Sequence, residues 1–269
     1  MNAYQITFGD VSISLILMVL AIVLSRLKRL GLERNLAIGT VRAFVQLTLI
    51  GYALRYLFKA DSPWVLGGVI IVMAGVAAFE TGRRLDSSIR YFRLISFGAL
   101  LATLMITGSV VVLLVIRPQP WFALTVTIPL SGMILGNGLN VISQSANRFL
   151  GEMQLRRNEI EVALSLGAAP STALYPTFKN SITSALIPAV NSLMTVGLVQ
   201  LPGVMTGQIL AGAPPLEAVK FQIVIMSMWV STGLIAGLIA TSLLSKLVIN
   251  RRWQLRWDLT GADNSASQP

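Results

Sequence analysis

Apolar residues occur along this chain in blocks of about 20, the length at which an α-helix crosses a hydrocarbon core of about 30 Å. The blocks fall at roughly 7–25, 36–58, 64–81, 95–116, 121–147, 182–205 and 218–247. They predict an all-α, polytopic membrane protein with about seven transmembrane helices. The third block is short and the fifth is long, so a tilt or break is expected in one of them. No linker sets off a soluble domain, so residues 1–259 read as one transmembrane domain. Thr260–Pro269 is small and polar, with no apolar face, and reads as a disordered tail.

The polar residues between the blocks alternate in charge. The connectors after blocks 1, 3 and 5 carry Arg26, Lys28, Arg29 and Arg34; Arg83, Arg84, Arg90 and Arg93; and Arg148, Arg156, Arg157 and Lys179. With Lys246, Arg251, Arg252 and Arg256 after the last block, these are sixteen of the 21 basic residues. The other side holds Lys59, Arg117 and Lys220, while Arg42 and Arg55 lie within the second block. An odd number of crossings with the N-terminus outside and the C-terminus cytoplasmic satisfies this bias. The expected location is the inner (plasma) membrane, crossed several times. Trp64 and Trp121 at block starts, and Trp253 and Trp257 past the last block, suit the two interfaces. Met1–Asp10 has no Lys or Arg, and no small-residue cleavage site precedes Arg26, so a cleaved signal peptide is not expected.

Composition narrows the chemistry. Charged residues make up 12% of the chain, against about 25% in an average soluble domain. The net charge of +10 would suggest a nucleic-acid partner in a soluble protein; here it reads as topology signal, with lipid as the partner. With no Cys and no His, thiolate sites, disulfides and imidazole acid–base chemistry are excluded, and the redox compartment is unreadable.

Polar residues inside the blocks are the candidates for function. Arg42 and Gln46, four apart, share a helix face, and Glu80 closes the third block. A charge at the bilayer centre costs about 2.5–3.5 kcal/mol, so each needs a partner or water. A structural pair between Arg42 and Glu80 and a substrate role are both open, and Glu80 can also sit at the inner interface beside Arg83. Asn137, Asn140 and Gln144 form a stripe that Asn191 could face, either as interhelical hydrogen bonds or as a translocation path. Pro202-Gly203 should break the sixth helix near its outer end, freeing carbonyls to line a cavity. Gly203-x-x-x-Gly207 and Gly207-x-x-x-Ala211 allow close helix packing, possible also across a dimer seam. Met194, Met205, Met226 and Met228 read mainly as gap fillers, although thioethers can hold soft metals. Of these, Met205, with Glu80, is a metal candidate.

The connector at about 148–181 holds Arg156-Arg157-Asn158-Glu159-Ile160-Glu161-Val162-Ala163-Leu164-Ser165-Leu166-Gly167-Ala168-Ala169-Pro170. Its apolar spacing predicts a short helix ended by Gly167, with Pro170 preventing continuation. An interfacial amphipathic helix is one reading. Glu161-Val162-Ala163-x-x-x-Gly167 also resembles the coupling segment of ABC-transporter permeases, in which a short cytoplasmic helix docks on the ATPase and transmits its movement. That resemblance implies contacts to the partner through Arg156, Arg157, Glu159, Glu161, Ala163 and Gly167. The distal Ile-x-Leu-Pro of the importer pattern is absent.

The run from Ile187 to Gly212, with Asn191, Met194, Gln200, Pro202-Gly203, Met205 and Gln208, resembles the signature of the iron-export permease FetB family, which includes plant permeases linked to aluminium tolerance. The similarity continues through Pro215-Leu216-Glu217-Ala218 and Gln222–Met226, and back to Arg42 and Gln46. It implies a metal-exporting permease subunit. Without His or Cys, any iron must be held by oxygen ligands and at most a thioether, a weak site suited to release. No Gly-x-x-x-x-Gly-Lys phosphate loop occurs, so ATP and Mg belong to a partner ATPase chain, and this chain binds no cofactor and is no enzyme. Seven helices look like half a pore, which suggests a homodimer. An ion-gradient-driven secondary transporter or channel is the alternative, disfavoured by the shortage of buried titratable groups. An intramembrane enzyme finds no Asp pair or Ser/Lys constellation.

Overall fold

The computed structural model describes residues 8–59, 62–85, 89, 91–250 and 253–256. The tail expected at 260–269 lies outside the described residues, as does Trp257. Among the described residues the chain forms helices only, apart from the isolated bridges Val196–Gln200 and Ile249–Leu255. In order these are α1 (Phe8–Leu27), α2 (Glu33–Leu57), α3 (Pro63–Arg83), α4 (Phe92–Thr103), α5 (Leu124–Leu155), α6 (Arg157–Ser165), α7 (Pro170–Thr195), α8 (Gly203–Leu210) and α9 (Pro215–Leu247). Large apolar side chains such as Leu17, Val72, Leu94 and Leu114 stand on the outside. A surface of that kind belongs in hydrocarbon.

Among the described residues, six helices are long and apolar enough to cross a membrane: α1, α2, α3, α4 with its continuation to Ile116, α5 and α9. The sixth block, expected at 182–205, is not among them. There the helix starts earlier, at Pro170, and ends at Thr195. Pro176, Lys179, Asn180, Pro188 and Asn191 dilute its apolar character. The expected connector at 148–181 is largely helical as well. α5 continues unbroken to Leu155, leaving Arg156 as the joint to α6, and α7 takes up the rest. Neither α3 nor α5 breaks, although Pro129 sits inside α5.

The irregularity appears in α4 instead. After Thr103 the helix widens into π-helical turns over Leu104–Gly108 and Val110–Ile116. Thr103 and Thr107 hydroxyls donate back to the Ala99 and Thr103 carbonyls at 2.7 and 2.8 Å. Threonine hydroxyls bonded this way compete for the carbonyls of the preceding turn and loosen the helical ladder.

α5 is the hub. It packs against α3, α7 and α9, and α9 packs on α4 and α7. Small residues bring these helices close. Val141 of α5 sits over Gly233 and Gly237 of α9, where an added Cβ would meet its methyl groups at 3.1 Å in each case. Gly138 admits Leu100 of α4 in the same way. The glycine pair that packs is therefore 233/237. Gly203 and Gly207, expected to let helices approach, have nothing within 4 Å. Within the chain, α1 and α2 pack chiefly on each other, and Leu54 of α2 touches the cluster of Leu66, Leu124 and Ile128.

Candidate functional site

α5 has a buried majority and one open face. Gly136, Asn140, Gln144 and Arg148, spaced by four, are all exposed, although the helix as a whole is the most buried in the chain. α3, α4, α9 and α7 cover the other sides, so this stripe fronts the gap between α3 and α7. The C-terminal end of α3 anchors it. Arg84 donates to the Asn140 side-chain oxygen at 2.9 Å, and Asn147 donates to the Arg84 carbonyl at 2.7 Å. Glu80 lies 3.5 Å from the Arg84 guanidinium and 3.6 Å from that of Arg83. The Arg42–Glu80 pair considered from sequence is therefore not formed, because two arginines one turn away reach the carboxylate first. Arg42 and Gln46 are exposed on α2, a helix with no buried residue. Arg42 has no ion-pair or hydrogen-bond partner among the described residues.

The amide stripe divides. Asn137 is buried and donates to the Trp229 carbonyl of α9 at 2.5 Å, while Asn140 and Gln144 stay on the open face. Asn191 is exposed on α7 and makes no side-chain hydrogen bond to α5 among the described residues. Sequence reasoning passed over Arg84, which looked like one more topology signal, and Gln222, which lay within an apolar run.

The break after α7 forms a second site. The chain leaves the helix at Thr195, turns at Gly197 with φ +80°, and resumes at Gly203 with Pro202 as its cap. A residue with a Cβ is strained at that φ, so glycine belongs there. The turn encloses a cavity of about 370 Å³ with α9, lined by Gly197, Pro202, Met205, Gln222 and Met226 among others. Gln222 is buried, and its side-chain oxygen accepts from the Met205 backbone N–H at 3.3 Å. Gln200 is exposed, Gln208 is half-buried, and neither lines this cavity; Met194 is exposed. Met228 is a core residue. Glu80 and Met205 share no cavity, and no three His, Cys, Asp or Glu side chains come together to hold a metal among the described residues.

α6 closes the basic end. Ile160 is buried against the bundle, whereas Leu155, Val162 and Leu166 are exposed. Arg156 donates from Nε and Nη2 to one Glu159 carboxylate oxygen at 2.8 and 2.6 Å, and Arg157 meets Glu161 at 3.1 Å, so these charges pair along the helix itself. Gly167, at φ +87°, donates to the Leu164 carbonyl and Ala168 to that of Ala163, both at 3.0 Å. That double bond pattern around a left-handed glycine is a Schellman stop, and Pro170 starts α7 three residues on. Ala163 is half-buried beside it.

Residues 8–249, nearly the whole described chain, match the model of the family described as Uncharacterised protein family (UPF0014). The chain belongs to the UPF0014 family. The probable iron export permease protein FetB of Escherichia coli is 34% identical over 95% of this chain and 97% of its own. The UPF0014 membrane protein YjkA of Bacillus subtilis is 37% identical over 81% of this chain and 85% of its own. The protein ALUMINUM SENSITIVE 3 of Arabidopsis thaliana is 32% identical over 93% and 90%. No solved structure matches. With relatives of this kind along its full length and six apolar spans, this UPF0014 chain is a multi-pass membrane permease.

Proposed function

We propose that this UPF0014 chain is the membrane-spanning subunit of an ATP-binding-cassette transporter that exports metal ions, iron foremost. Two copies form the pore, and two separate ATPase chains carry ATP and Mg. α7 serves as the sixth of seven crossings in the inner membrane, its 26 residues reaching about 39 Å. The N-terminus is then outside and the C-terminus cytoplasmic, as the basic clusters favour.

The observation that carries this reading is α6. It is a nine-residue helix with a rigid glycine stop, tied to the bundle by Ile160, presenting Val162 outward and flanked by the exposed Leu155 and Leu166. An apolar, exposed patch at the basic end suits docking on a cytoplasmic ATPase. Closure of the ATPase pair on ATP pushes α6, and α5 and α7, which flank it directly, carry the movement into the membrane and alternate the two mouths. The cargo meets amide and backbone oxygens and the Met205 thioether. Glu80 is occupied by arginine, so the metal is held weakly and released readily.

The test is copurification with an ATPase encoded beside this gene, followed by Glu161→Lys and Gly167→Pro. Proline cannot adopt the φ of +87° at Gly167. Both variants are expected to keep the permease in the membrane and to lose ATPase stimulation. An unchanged ATPase rate, or gradient-driven transport without the ATPase, overturns the reading. Iron content under iron load should rise in cells lacking the protein; unchanged iron argues against this cargo.

A further inference from the structure

α2 presents a face that none of the described residues covers. The grooves between α1 and α2 are lined on α2 by Gly39, Ala43, Phe44, Leu47 and Gly51. At 100° per residue, Arg42 falls on the far side of the helix from these groove residues, and Gln46, also exposed, lies at the edge beside it. Arg42 is the tenth residue of α2, about 14 Å from the helix start and so well within the span. A guanidinium at that depth has no water to face and is out of reach of a soluble subunit docked at α6. On α5, the exposed stripe of Asn140 and Gln144 is equally unsuited to lipid.

The two faces are complementary. Arg42 offers five N–H donors and no acceptor, and the amides offer carbonyl oxygens. Gln144 has no partner among the described residues, and Asn140 retains a second lone pair beyond the one taken by Arg84.

We propose that a second copy of this chain covers both faces, with Arg42 and Gln46 of one copy across from Asn140 and Gln144 of the other. The polar path then lies between copies and is incomplete in either alone. This rests on the homodimer reading above and adds its seam to it. Lipid is disfavoured as the occupant by the unpaired charge, and an unrelated membrane chain is an outcome of the test.

The chain has no Cys, so single cysteines can be placed freely. Differently tagged chains carrying Gln46→Cys and Gln144→Cys are coexpressed and treated in membranes with a thiol crosslinker of about 10 Å, a span within reach of side chains across a helix–helix contact. Val72→Cys, exposed on α3, replaces Gln46→Cys as the control. The expected result is a mixed-tag product of two chains from the first pair and none from the control. Native mass measurement reports the oligomer independently. A dimer that crosslinks only at the control position overturns the seam and leaves the homodimer standing. A monomer overturns both, and a product with an unrelated chain overturns the seam. Arg42→Leu is expected to weaken the dimer about ten-fold or more, the scale of a lost charged hydrogen bond, and Arg42→Lys to restore part of it. An undiminished Arg42→Leu dimer means that Arg42 faces lipid or water, and the proposal fails.

Discussion

The side chains that matter most here are defined by which neighbour reaches them first. Glu80 looked from sequence like a possible partner for Arg42. In space Arg83 and Arg84 are closer, because residues three and four apart share a helix face. Asn137 and Asn140, three apart, also diverge: one is covered by α9 and the other faces the gap. Asn137→Ala should cost about 1 kcal/mol, the scale of interhelical hydrogen bonds in membranes, as a lowered midpoint in detergent unfolding. A sharper contrast is available two residues apart. A Cβ on Gly138 would lie 2.8 Å from the buried Leu100, whereas one on Gly136 meets nothing within 4 Å. Gly138→Ala should destabilise by about 1–3 kcal/mol through overpacking. Gly136→Ala should be neutral or stabilising by up to about 1 kcal/mol. Thermal unfolding of the two variants side by side checks the pair, and equal midpoints would contradict the packing described.

Helices announced by long apolar runs were legible, and those depending on local backbone chemistry were less so. The ends of α2 and α3 lie within a few residues of their apolar blocks. The π-helical part of α4 left no mark, since hydropathy does not record whether a carbonyl is shared with a threonine hydroxyl. α7 was read too late at both ends, because its first turns are polar while the segment after Thr195 is apolar but not helical. α6 was legible because it carries a sequence-local stop: Gly167 followed by Pro170. That stop yields a prediction. Gly167→Ala places a Cβ at φ +87°, costing about 1–2 kcal/mol. Limited proteolysis should then cut between α6 and α7 faster than in the parent, with the membrane-embedded helices still protected.

For the molecule as a whole, the charge pattern carries the orientation. Basic residues gather at the α3 end, around α6 and at the end of α9, so a periplasm-active reporter fused to the N-terminus should be active and one at the C-terminus silent. Two reporters that are both active or both silent would require an even number of crossings and exclude α7 as a span. The sequence could mark the polar residues of α2 and α5 but not that the described residues of their own chain leave them uncovered. Exposure is a property of the packed bundle, set by α3, α4, α7 and α9 taking the other sides of α5.

The uninterrupted length of α5 has a mechanical consequence. Its 32 residues make a rod about 48 Å long, joined to α6 through Arg156. A tilt of about 5° at that joint sweeps the opposite tip through about 4 Å, more than the diameter of a water molecule. Pro129, near that tip, removes one hydrogen bond from the rod and so lets the last turns lag behind the rest. A small angular push at one membrane face thus arrives at the other as a delayed displacement, large enough to open or shut a narrow mouth.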